Sequence, residues 1–291
     1  MTWLWLGAAS ALALGCYDLA KKHALRENQV LGVLLLATCS GGLGLVAWLA
    51  VTDGLTVAWR AQSGNAFHLH LLGKAVLVTG SWVAAFAALK HLPISLVSPV
   101  RASAPVWTLL AAVLLLGERP GPWQWLGVVV MLAGFLAFAL IGKREGIDVR
   151  RDRWVLCLLI ATLLGAASAL YDKVLLQHWA YDPTAVQLWF SVYLVLFQFL
   201  LWVAWGRRAG HLRWRWSIPV VGLLLVLADR LYFLALHQPD ALIAVLSPLR
   251  RSSVVVAFGL GGKLFGERFL RQKTGALAVV LAGALVVLLC R

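Results

Sequence analysis

Ten mostly apolar runs follow one another along the chain, at roughly 3–20, 30–52, 69–89, 94–116, 123–141, 154–176, 184–205, 217–236, 241–265 and 274–290. A bilayer-spanning helix needs about 20 such residues, so ten spans consume about 200 positions and leave only short connections. The composition agrees: 62% of the 291 residues are hydrophobic and only 13% charged. No room remains for a soluble catalytic domain. The fold class expected is an all-α membrane protein with ten transmembrane helices.

The formal net charge of +14 would suggest nucleic acid as a partner in a soluble protein. Here the basic residues fall between apolar runs, where they set orientation, and no nucleic-acid partner is expected. Sixteen Lys and Arg lie in the odd-numbered connections, Arg150, Arg151, Arg207 and Arg208 among them. Only four lie on the other side: Arg60, Arg119, Lys173 and Arg291. The positive-inside rule therefore places both termini on the non-cytoplasmic side. The first run has no basic residue before it, and Lys21 and Lys22 follow it, so it reads as a retained helix and not a signal peptide. Trp residues at many run ends, such as Trp48, Trp123, Trp154 and Trp205, suit headgroup level, whereas Trp82, Trp107 and Trp189 lie deeper. Cys16, Cys39, Cys157 and Cys290 show no paired spacing, which argues against a zinc site or a disulfide framework.

The chain repeats itself. Ser98-Pro99-Val100-Arg101-Ala102-Ser103 recurs as Ser247-Pro248-Leu249-Arg250-Arg251-Ser252, an offset of 149. At the same offset Gly117-Glu118-Arg119 recurs as Gly266-Glu267-Arg268, and Ala133-Gly134 as Ala282-Gly283. Tyr17-Asp18 pairs with Tyr171-Asp172 at an offset of 154. The halves are 1–145 and 146–291, each with five spans. Five is odd, so the second half enters the membrane from the opposite side, which makes an inverted repeat. Such pairs place their working site near the bilayer midplane between the halves and rock one half against the other.

These features resemble the drug/metabolite transporter superfamily, EamA type: two five-helix halves, Pro early in the fourth helix of each, and Gly-Glu-Arg closing it. The resemblance covers essentially the whole chain. It implies a secondary transporter rather than an enzyme, in a bacterial inner membrane, with a central cavity lined by both halves. Well-known ten-helix members are expected to have cytoplasmic termini, whereas the charge count here puts them outside.

Charged residues inside spans are functional suspects, because an Arg at a helix centre costs about 2.5–3.5 kcal/mol on insertion scales. The basic ones are Lys74, Arg101, Arg230, Arg250, Arg251 and Lys263; the acidic ones are Asp18, Asp172 and Asp229. Lys74 and Lys263 lie close enough to run ends to snorkel. Arg101 and Arg250 are symmetry mates whose guanidinium forks suit carboxylate or phosphate oxygens. Substrate contact is therefore assigned to Arg101, Arg250, Arg251, Ser98, Ser247, Tyr17 and Tyr171. Gating or coupling is assigned to Asp18, Asp172 and Asp229 and to the hinge residues Pro99 and Pro248. The competing reading is structural: the three Asp neutralise the Arg in buried ion pairs, and the Ser satisfy backbone groups freed by Pro. Asp229 and Arg230 point about 100° apart, so only one of them faces a given cavity.

Glycines at 41, 42 and 44, and at 259, 261, 262 and 266, permit close helix approach, within the chain or between the protomers of a homodimer. Phosphate-binding glycine loops, serine-hydrolase elbows and zinc-protease helices are lacking, so neither ATP, a metal nor any cofactor is expected. The partners left are the lipid bilayer and a small-molecule substrate, anionic or zwitterionic. Two rivals remain at this level: a flippase gripping a lipid phosphate with the same Arg, and an intramembrane enzyme or its assembly partner.

Overall fold

The computed structural model describes residues 2–52, 54–60, 64–93, 96–97, 100–101, 103–116, 121–144, 152–206, 211–239, 241, 243–251, 253, 256 and 270–289. It is 89% helical and holds no strand among the described residues. In chain order the helices are α1 (Thr2–Leu25), α2 (Val30–Val51), α3 (Gly54–Arg60), α4 (Gly64–His91), α5 (Ala104–Leu116) and α6 (Pro122–Arg144). There follow α7 (Arg153–Lys173), which runs on through a π-turn (Val174–His178), then α8 (Pro183–Ala204), α9 (Ser217–Leu236), α10 (Ile243–Arg251) and α11 (Leu270–Leu289). Six of them (α1, α2, α4, α7 with its π-turn, α8 and α9) are long and apolar enough to cross a bilayer, and shorter apolar segments lie in α5, α6 and α11. The apolar runs at 94–116 and 241–265 are described as helix only over 104–116 and 243–251, apart from isolated residues.

Local sequence sets the helix starts. The carboxylate of Asp152 accepts from the Trp154 amide at 2.7 Å, capping α7. Asp182 accepts from Thr184 and Ala185 at 2.8 and 2.9 Å, and Pro183 fills the first turn of α8 where its missing N–H is harmless. Gly54 to Arg60 folds as a short helix inside what the apolar runs left as a connection.

The connections sort to two ends. At one end Lys22 donates to the carbonyls of Leu89 and Leu92, and Asn28 exchanges side-chain hydrogen bonds with the backbone of Arg213 at 2.6 and 3.0 Å. Arg215 pairs with Glu27 at 2.8 Å, and His91 stacks on Trp154 at 3.6 Å. The first, third, fifth and seventh connections thus meet on one side. At the other end Gln177 donates to the Leu236 and Ala241 carbonyls, His70 stacks on Trp179, and Trp59 packs against Trp189.

Lipid tails are as apolar as leucine, so the hydrophobic effect does little to hold these helices together, and close packing and interhelical hydrogen bonds must. α1 packs along α9, α4 along α7, α2 against both α8 and α9, and α6 along α11. The Ser10 hydroxyl on α1 donates to the Ala228 carbonyl of α9 at 2.7 Å, and Ser81 on α4 donates to the Ala161 carbonyl of α7 at 2.8 Å. Bonds of this kind contribute about 0.6–1.7 kcal/mol each. The tightest approach joins α2 to α9, where a Cβ built on Gly222 would lie 1.8 Å from the Ala37 carbonyl oxygen. Gly41 faces the Gly222 carbonyl across the same contact, whereas Gly42 faces open space. Gly44 meets Leu223, and the cluster at 259–266 lies outside the described residues.

Gly222→Ala is expected to force α2 and α9 apart and to destabilise the protein by about 1–3 kcal/mol, seen as a lowered unfolding temperature in detergent. Gly42→Ala, on α2 beside Gly41 but facing nothing, is expected to leave that temperature unchanged.

Candidate functional site

A cavity of about 120 Å³ opens between the helices, lined from α1, α4, α7, α8, α9 and α10 and by Arg101. A single buried water needs about 10–15 Å³ on this measure, so the space holds several waters or a small solute. Seven charged side chains line it: Asp18, Lys21, Lys74, Arg101, Asp172, Asp229 and Arg250. The rest of the wall is mixed, with Tyr17, Ser81, Ser168 and Ser253 among Leu14, Val78, Trp82, Phe190, Leu225 and Phe233.

Six of the seven charges form three ion pairs. Lys21 meets Asp18 one turn earlier on α1, at 2.6 Å. Lys74 of α4 binds Asp172 of α7, joining two helices, and both side chains are buried. Arg250 of α10 binds Asp229 of α9. Aromatic rings flank each paired cation. Lys21 lies 4.3 Å from the Tyr17 ring centroid, Lys74 4.1 Å from Phe190 and 4.3 Å from Phe233, and Arg250 4.2 Å from Tyr232. The electron-rich faces of these rings favour a cation where water is scarce. Arg101, half-buried, has no ion pair, hydrogen bond or ring contact among the described residues. Among the described residues the lining therefore carries four cations and three carboxylates.

Of the substrate residues named from the sequence, Tyr17, Arg101 and Arg250 line this cavity, as do Asp18, Asp172 and Asp229 of the gating set. Ser247 is buried on α10 and is not among the lining residues. Tyr171 points elsewhere, donating its hydroxyl to the His70 carbonyl at 3.2 Å and packing edge-on against Trp179. Ser98 and Pro99 lie outside the described residues, as do the side chains of Arg251 and Pro248. Arg230 turns away from its neighbour Asp229, donating to the Thr184 hydroxyl at 3.0 Å and lying 5.3 Å from the Trp48 ring. Trp82 lines the cavity, while Trp189 packs against His68 and Trp107 is exposed.

Two lining residues escaped the sequence reading. Lys74 does not snorkel: α4 begins at Gly64, five residues before the apolar run, so Lys74 sits three turns inside the helix and is 1% exposed. Lys21 was placed in a connection, but α1 continues to Leu25 and buries it. The signal that could have found it is the three-residue step from Asp18, which puts both on one helix face.

Ion-paired cations around a polar cavity in an apolar helical bundle are the anatomy of a membrane transporter. Residues 1–140 match the model of the EamA-like transporter family. The chain belongs to that family over its first half. It is therefore a multi-pass membrane transporter of the drug/metabolite type, and members of the family are transporters and not enzymes. Twenty-eight chains of solved structures match its fold. One, described only as a crystal structure of a protein, aligns over 98% of this chain and 95% of its own with a TM-score of 0.74 at 18% identity. At that identity the likeness shows the fold alone. No curated protein matches the chain.

Breaking a buried ion pair leaves a bare charge and costs about 3–5 kcal/mol, whereas replacing both partners with apolar groups is often neutral. Asp172→Asn alone is expected to lower the unfolding temperature sharply. The double replacement Lys74→Met with Asp172→Leu is expected to recover most of that loss, and a double-mutant cycle on purified protein measures the coupling.

Proposed function

We propose that this family member is a secondary transporter of a small polar metabolite carrying a carboxylate or phosphate, working by alternating access between two inverted five-helix repeats, 1–145 and 146–291. The observation that carries the reading is the cavity wall, in which cations outnumber carboxylates by four to three among the described residues. An excess cation in a site of low dielectric is stabilised by an anion and repels a second cation.

Helix packing supports the two-repeat reading. Exchanging the halves turns α1 into α7 and α4 into α9, so the α1–α9 contact becomes α7–α4, which is also present. The same exchange turns α2–α9 into α8–α4, again present. The contacts α2–α8 and α6–α11 map onto themselves, as helices beside a pseudo-two-fold axis do. The cavity draws on both halves, where inverted-repeat transporters hold their substrates. Ser10 and Ser81, both in the first half, donate across these two mated interfaces to Ala228 and Ala161 of the second. The gathering of the odd connections at one end agrees with alternating spans, and the basic residues there support termini outside the cytoplasm of a bacterial inner membrane.

Transport is tested in proteoliposomes offered a mixture of small carboxylates, phosphate esters, amines and neutral polar solutes, with the lumen analysed by mass spectrometry. Saturable accumulation of anionic or zwitterionic solutes is expected, absent from protein-free vesicles. Accumulation of amines alone, or of nothing, contradicts the reading.

A further inference from the structure

The two halves bring matched charges to the cavity: Asp18 and Asp172 correspond, and so do Arg101 and Arg250. Three of these four have a counter-charge that the repeat does not supply. Asp18 has Lys21, Asp172 has Lys74, and Arg250 has Asp229. The two offsets map Asp229 back onto positions 75 to 80, which read Ala-Val-Leu-Val-Thr-Gly and contain no acid. Arg101 is therefore the one member of the matched set without a private partner among the described residues, although it lines the same wall.

Resting on the transport reading above, we infer that Arg101 alone anchors the substrate's charged group, that the substrate carries one net negative charge, and that Arg250 is a positioning residue held by Asp229. Electroneutrality sets the charge. A monoanion cancels the single excess cation among the described lining residues, while a dianion leaves them with an unbalanced negative charge in a medium where imbalance is expensive. A fork with no hydrogen bond among the described residues is also the group best able to grip a carboxylate or phosphate bidentately. The charge of Arg250 is already balanced by Asp229.

Thermal unfolding of the purified full chain in detergent reads this directly. The probes are acetate, lactate and benzoate as monoanions, malonate and succinate as dianions, and ethanolamine as a cation. At least one monoanion is expected to raise the unfolding temperature saturably, more than either dianion, with ethanolamine inert. Arg101→Ala is expected to weaken that monoanion about 30-fold or more, and Arg101→Lys to restore part of it. Val78→Asp puts a carboxylate on the cavity wall at a position mated to Asp229, and is expected to abolish monoanion binding with Arg101 still present. Asp229→Asn releases Arg250 and is expected to create dianion binding, a gain that a misfolded protein does not show.

A monoanion shift untouched by Arg101→Ala but lost in Arg250→Ala overturns the inference and leaves the transport reading standing. So does wild-type protein that prefers dianions. Wild-type protein stabilised by ethanolamine alone, or by none of the six probes, overturns both.

Discussion

A bare charge in a bilayer is expensive, and the packing of this protein follows from how its charges are matched. Lys74 and Asp172 tie α4 to α7, and Arg250 and Asp229 tie α10 to α9. Each bond lies across a helix interface that lipid-like packing alone would hold weakly. The aromatic rings of Phe190, Phe233 and Tyr232 complete the enclosure of the cations. Electrostatic matching thus fixes which helices surround the cavity, while the close approach of Gly222 to Ala37 and Gly41 sets how near α2 and α9 can come.

The same matching gives the cavity its chemical character. Six ion-paired charges line the wall, and moving any one of them exposes its partner. Arg101 stands in that wall without such a constraint among the described residues. A transporter needs this combination, since a site that is wholly neutralised offers nothing to bind, and a site with many loose charges holds its cargo too tightly to release it. Under the alternating access proposed above, binding energy from one charge-assisted contact is small enough to surrender.

Much of this was legible in the residues. Hydropathy located the apolar segments because in lipid every backbone polar group must be satisfied within its own helix, so length and apolarity carry the signal. The run at 217–236 coincides with α9 at both ends. The internal match around Arg101 and Arg250, and that around Asp18 and Asp172, pointed to residues that share the cavity wall. What stayed hidden depended on partners distant in sequence. Nothing near Lys74 announces Asp172, 98 residues away, and the polar stretch that extends α4 back to Gly64 made Lys74 look like a residue near a helix end. Tyr17 and Tyr171 look equivalent in sequence, yet local packing differs: a π-turn follows α7, and Trp179 just beyond it draws Tyr171 to the aromatic cluster around His70.

The central claim is a cavity that opens in turn to each side of the membrane. Ser168 lines it without taking part in an ion pair, so a single cysteine there, with Cys16, Cys39, Cys157 and Cys290 replaced, reports access to the wall. A membrane-impermeant thiol reagent applied separately to each face of oriented vesicles is predicted to label Ser168→Cys from both sides. Labelling from one side alone, or from neither, would contradict alternating access.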